Sequence, residues 1–246
     1  MKALRELVRV NLLLYRREPA AFFFSMIFPV MLLLLFGLMF GGESTIDESF
    51  AYVEEAVPGF IIVIVATVGL LQIPVNLALR KEMRILRGLK LTPLKPGVYI
   101  FADIIANMTI VLASMLLLSF VGWLAFGMRF AGQIPLALAG MLLCCATFFA
   151  FGYLIANLSP TSKAASAIGN LVFFPFMFLS GAAIPLSAMP EHIQTFTAYL
   201  PMTQAVSFMQ GLWMGRPLEQ LMTPVVSLGV LAIVSAAIAA RFFKWE

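Results

Sequence analysis

Asp103 and Asn107 stand one helical turn apart in an otherwise apolar run, and Asp103 is the one acid there. An ionisable group inside a membrane-length segment is costly to keep, so the pair is the first candidate for a functional polar contact. Asp103 lies only about two helical turns from the basic end of its run, so simple reach to the interface is the other reading. Little else in the chain could do chemistry. His192, the single histidine, sits beside Glu191 in a segment expected on the outer side, and reads as a solvated residue rather than a ligand. Cys144 and Cys145 are adjacent in an apolar run, which suits small buried side chains better than a disulfide framework or a metal site. No Ser/His/Asp set or carboxylate pair falls at membrane depth with partners. The dipeptide Gly-Lys never occurs, so the chain cannot cradle ATP with a P-loop. No catalytic residue, bound cofactor or metal ligand is expected of this chain.

Helices in a bilayer must hold these residues. Of 246 residues 62% are hydrophobic and 11% charged, against roughly half and about a quarter in a soluble domain. Mean hydropathy is +1.00. The expected fold is all-α and integral to the membrane, a single transmembrane domain over 1–246. Six spans are expected near 20–40, 57–79, 98–126, 134–157, 164–184 and 221–242, which leaves little chain for a soluble domain. The first apolar run ends at Gly41-Gly42 before a group of acids, and is expected to stay as an anchor rather than be cleaved. Residues 1–17 carry five basic residues, with Leu4, Leu7, Val8, Asn11, Leu14 and Tyr15 at helical spacing. They read as an interfacial helix, apolar face in lipid, broken at Arg17-Glu18-Pro19. Pro29 is expected to kink the first span and Pro74 to interrupt the second.

Six of the 16 Lys and Arg residues fall between Arg80 and Pro96, with the single acid Glu82. Met83, Leu86 and Leu89 recur at helical spacing, with Arg80, Arg84 and Arg87 on another face. An amphipathic helix lying against the membrane fits that pattern. It serves either as a plain positive-inside loop or as a docking helix for a cytosolic partner. With the N-terminus inside, fourteen of the 16 basic residues are cytoplasmic and only Arg129 and Arg216 lie outside. Both termini are therefore expected in the cytoplasm. The net charge of +4 then serves topology, and no nucleic-acid partner is implied.

Residues 185–217 are apolar but broken by Pro185, Pro190, Pro201 and Pro217. Pieces that short suit re-entrant helices, roughly Met189–Leu200 and Met202–Met214 with Pro201 between them; a simple outer loop is the other reading. Small-residue pairs (Ala146/Ala150, Ala165/Gly169, Ser235/Ala239, Ala236/Ala240) could let helices approach closely. Phe24, Phe28, Phe174 and Phe178 are lipid or core contacts by default, and could instead line a path for a hydrophobic substrate.

Three separated stretches resemble the permease subunits of ABC-2 type exporters. The opening is similar in its basic helix, Arg17-Glu18-Pro19, Phe28-Pro29 and Leu35-Phe36-Gly37. The basic loop is similar in Glu82, Leu89 and Thr92-Pro93. The outer segment resembles a Ser-Gly-x-x-x-Pro signature, Ser180-Gly181-Ala182-Ala183-Ile184-Pro185, continued by Leu186-Ser187, Pro190 and Pro201-Met202-Thr203. The chain departs from the common pattern at Arg84-Ile85, where many members have Gly-Thr, and at Leu200-Pro201, where many have Asn-Pro.

The resemblance implies two six-span permeases, a second copy or a sister chain, with two cytosolic ATPase subunits docked beneath them. ATP and Mg would be bound by those partners. Lys81, Glu82, Met83, Arg84, Leu86, Arg87 and Leu89 would couple to the ATPase, and Ser180, Gly181, Pro185, Pro190 and Pro201 would shape an outer gate or re-entrant turn. The setting would be the cytoplasmic (inner) membrane of a prokaryote. The cargo expected is a hydrophobic or amphipathic drug, antibiotic or lipid-like molecule. The alternatives are a polysaccharide or lipid-linked glycan, or an ATP-independent carrier using Asp103. A scaffold or intramembrane enzyme is disfavoured, because no polar constellation exists to serve it.

Overall fold

The helix that begins at Tyr52 is apolar on every side from Ala56 to Ala66, and a stretch of that kind must be surrounded by other helices. The computed structural model of the protein describes residues 2–40, 52–85, 96–182 and 189–242. Among the described residues every regular element is helical. In chain order they are α1 (Lys2–Arg16), α2 (Pro19–Phe40), α3 (Tyr52–Glu82), α4 (Pro96–Phe126), α5 (Ile134–Leu158), α6 (Ser162–Leu179), α7 (Glu191–Thr197), α8 (Pro201–Trp213) and α9 (Met222–Phe242). Six of these, α2 to α6 and α9, are long and apolar enough to cross a membrane. Helix α3 is the axis: every residue from Tyr52 to Leu70 is buried, with α2, α4, α5, α6 and α8 packed round it.

The spans alternate in direction, which gathers α1, the end of α3 and the starts of α4 and α6 at one end of the bundle, here called the basic end. At the opposite end α3 starts earlier than the hydropathy suggests. Glu54 and Glu55 belong to its first turn and are buried, whereas the acid content of 41–56 reads as an outer segment. Helix N-termini favour carboxylates, and Glu54 accepts a hydrogen bond from the Arg129 backbone N–H at 2.9 Å. The Gln210 side chain donates to the Glu55 carbonyl at 3.0 Å, tying α8 to the same turn.

Two π-helical stretches interrupt the spans, Phe23–Ile27 in α2 and Thr67–Gln72 in α3. Each precedes a proline, Pro29 and Pro74, which has no N–H to give the carbonyl four residues back. Interruptions of this kind favour functional sites, and both border the groove described below. Glycines on the facing helices let them approach the second stretch closely: a Cβ placed on Gly152 would lie 1.9 Å from the Gly69 carbonyl oxygen, and one on Gly169 2.4 Å from that of Leu70. The Ala165/Gly169 pair thus sits at a real crossing. Cys144 and Cys145 are buried in α5 among apolar neighbours.

Helix α3 ends at Glu82, where Met83 and Arg84 donate backbone hydrogen bonds to the carbonyls of Leu79 (2.9 Å) and Lys81 (3.0 Å). Arg84 then turns the chain with φ +56°, the left-handed region that favours glycine. Arg84→Gly is expected to raise stability by about 1 kcal/mol, read as a higher melting temperature in detergent; an unchanged or lower one would mean that the Arg84 side chain supports the turn. Leu86, Arg87 and Leu89 lie outside the described residues, as does Pro185.

Candidate functional site

Three consecutive side chains at the basic end of α3 reach three different sides of the bundle. Arg80 donates to the Asn11 side-chain oxygen on α1 at 3.0 Å and, on α4, to the Tyr99 hydroxyl and to Asp103 Oδ1 at 3.4 Å. Lys81 Nζ donates to the Ala156 carbonyl (3.2 Å) and to Asn157 Oδ1 (2.8 Å) on α5. Asn157 in turn donates to the Ala239 carbonyl on α9 at 2.9 Å. Glu82 accepts from the Ser162 backbone N–H (3.0 Å) and hydroxyl (2.7 Å) at the start of α6. Helical geometry explains the fan, since successive residues are rotated by about 100° and neighbours in sequence must face different helices.

Asp103 is the densest point of this network. Besides Arg80 it accepts from the Tyr153 hydroxyl at 2.7 Å, from Asn107 at 3.3 Å and from Asn11 at 3.4 Å. Its side chain is 13% exposed and that of Arg80 16%, so Asp103 is held inside the protein rather than reaching the interface. The Arg80 guanidinium also lies 5.6 Å from the Tyr99 ring centroid. The amphipathic pattern places Arg80 on a solvated face with Arg84 and Arg87; the structure turns it inward, because α3 continues straight through that residue into the bundle. Part of the α1 face assigned to lipid is turned inward too: Asn11 meets α4, and the Tyr15 hydroxyl pairs with Ser25.

A groove of about 350 Å³ opens between α2, α3 and α6. Phe24, Phe28 and Phe174 line it together with Phe173, Gln72 and Asn170. Phe178 is half-exposed and is not part of that lining. The two π-helical stretches meet here: the Ala21 carbonyl accepts from Ser25 Oγ (2.7 Å) and from Gln72 Nε2 (3.1 Å).

At the far end, Ser180 is buried and closes α6, its hydroxyl donating to Met177 O at 2.9 Å and accepting from Ala182 N at 3.2 Å. Gly181 follows with φ +81°. Thr203 of α8 donates to the Leu179 carbonyl at 3.4 Å. Pro190 precedes α7 and Pro201 opens α8, so Pro201 stands at the junction of two short helices. Helix α8 is buried against α3, α5, α6 and α9, whereas α7 leaves His192, Phe196 and Tyr199 beside it exposed.

Of the residues marked by sequence, Lys81 and Glu82 therefore meet α5 and α6, Met83 and Arg84 are exposed at the turn, and Asp103 and Asn107 join one cluster. Asn11 and Arg80 were named only as members of amphipathic faces, Tyr99, Tyr153, Asn157 and Ser162 were not marked, and sequence carried a signal for few of them. Tyr153 and Asn157 do share one helical face at i and i+4, two of the few polar residues of a long apolar run. A family model described as ABC-2 type transporter matches residues 2–213 of the chain. No curated protein matches it.

Proposed function

We propose that this chain, which belongs to the ABC-2 type transporter family and is a multi-pass permease of that family, is the membrane half of an ATP-driven exporter. The basic end faces the cytoplasm of a prokaryotic inner membrane, in keeping with the positive-inside rule. Helix α1 lies along that surface, and α7 and α8 form the re-entrant outer segment. Separate ATPase subunits, two per complex, dock at 80–96 beneath a pair of permeases and supply the ATP and Mg chemistry. The substrate is hydrophobic or amphipathic and passes along the groove lined by Phe24, Phe28 and Phe174.

One observation carries this reading: Arg80, Lys81 and Glu82, the first residues of the basic segment, bind the end of the central helix to α1, α4, α5 and α6. A pull on that segment is thereby delivered to the basic ends of four helices at once. The ATP-independent reading loses its motive, since Asp103 is paired and hydrogen-bonded rather than poised alone.

Mild solubilisation from the native membrane should bring down a cytosolic ATPase in fixed ratio with the permease. Leu86→Asp with Leu89→Asp should cut the recovered ATPase about tenfold or more while permease levels hold. Unchanged ATPase recovery would remove the coupling assignment. Transport that continues with no ATPase present would restore the carrier. Direction is read separately, by ATP-dependent uptake into inside-out vesicles.

A further inference from the structure

The groove between α2, α3 and α6 carries one polarity gradient on two of its three walls. Along α2 it runs from Glu18, just before the helix, to Phe24 and Phe28. Along α6 it runs from Ser166 and Asn170 to Phe173, Phe174 and Met177. The α3 wall is mixed along its length, with Asn76, Gln72 and Thr67 among Val75 and Leu71. Ten helical residues separate Glu18 from Phe28, about 15 Å. The groove is thus polar at the basic end and aromatic about half a hydrocarbon core further in. A site graded in this way takes an amphiphile end-on.

The charges set the sign of its head group. Among the described residues lining the groove, Glu18 alone is ionisable. A small adjoining chamber shares Glu18, Gln72 and Asn76 and adds Arg80 and Asp103, but those two pair with each other at 3.4 Å. One net negative charge remains. Partial burial pushes the Glu18 carboxyl above its usual range, against the pull of Arg80, and a carboxylate so placed gains from a cation brought beside it. Two of the neighbouring amides each spend one N–H within the protein, Gln72 Nε2 on the Ala21 carbonyl and Asn170 Nδ2 on Ser166 Oγ at 3.3 Å; Asn76 is the third amide of the lining. Their oxygens remain as acceptors. Carboxylate and amide oxygens suit a protonated amine, and the phenylalanines below suit an aromatic or aliphatic body.

We propose that the groove selects amphipathic cations, with a protonated amine at Glu18 and the apolar body along Phe24, Phe28 and Phe174. This rests on the reading of the groove as the substrate path. The test uses the permease in zwitterionic nanodiscs, with empty discs subtracted, and three dansyl probes: a cationic alkylamine, a neutral alkylamide and an anionic fatty acid. The cationic probe should bind about tenfold more tightly than the other two. Glu18→Gln should erase that margin, with the neutral probe unchanged and Glu18→Asp retaining it. Phe24→Ala with Phe174→Ala should weaken all three. Three probes bound equally, all sensitive to the Phe pair, would overturn charge selection and leave the path standing. Binding indifferent to the Phe pair would overturn both readings, and a Phe pair that instead changes the oligomeric state would assign the groove to contact with a second copy of the chain.

Discussion

Asp103→Leu is expected to cost about 3–5 kcal/mol of stability, and Arg80→Met a similar amount, whereas the double variant should recover most of the loss. The asymmetry follows from burial. Each side chain is nearly enclosed, at 13% and 16% exposure, with the other as its counter-charge. Removing Asp103 leaves the guanidinium with only Asn11 and the Tyr99 hydroxyl, and deprives the Tyr153 hydroxyl of its acceptor. Removing both charges leaves no buried charge uncompensated, in a site that Ala106 and Ile110 bound on one part and Asn11, Gln72, Asn76 and Asn107 on another. Thermal unfolding of the four proteins in one detergent closes the cycle. Additive losses in the double variant would mean that the two residues act independently.

The same cycle separates holding from transmitting. If the Arg80 network carries movement from the basic segment to α1 and α4, the double variant should fold, bind its ATPase and fail to transport. Full transport by a folded double variant would reduce the pair to a structural role, leaving Lys81 and Glu82 as the remaining links to α5 and α6. Lys81 and Glu82 touch different helices from Arg80, so replacing them should lower transport without reproducing the recovery in stability.

How much of this was legible in the sequence depends on the range of the contact. Apolar runs of membrane length fix six spans because backbone groups in lipid must be satisfied within each helix, a local property. Asp103 stood out because an acid in such a run is costly. Its partners did not, since Asn11 and Tyr153 are 92 and 50 residues away and only helix packing brings them in. Arg80 was misplaced for a related reason: a basic run looks uniformly solvated, and nothing local tells Arg80, which turns inward, from Arg84, which stays exposed. Composition picked out Phe24, Phe28 and Phe174 as aromatic, but not the groove that Glu18, Gln72 and Asn170 complete. Phe178, one turn beyond Phe174, falls outside that lining. Glu54 and Glu55 were hidden because acids read as a boundary until the Arg129 backbone N–H is seen to donate to one of them.

Gly152→Leu should abolish the folded permease, at a cost of about 3 kcal/mol or more. A Cβ on Gly152 would lie 1.9 Å from the Gly69 carbonyl oxygen and 3.0 Å from its carbon, and backbone cannot swing aside as a side chain can. The obstruction is reciprocal, because a Cβ on Gly69 would meet the Phe148 backbone, one turn before Gly152, at 2.8 Å. Parting α3 from α5 would also pull Lys81 from Asn157 and loosen the α9 contact that Asn157 makes. Gly229→Leu on α9 is the matched control, since nothing lies within 4 Å of the position a Cβ would take there, and leucine favours the helix by up to about 1 kcal/mol over glycine. Monodisperse protein recovered after size exclusion should therefore vanish for the first variant and persist for the second. Equal recovery would mean that α3 and α5 can separate at Gly152 without loss of the fold, and the central helix could then not act as the rigid axis that moves its neighbours together.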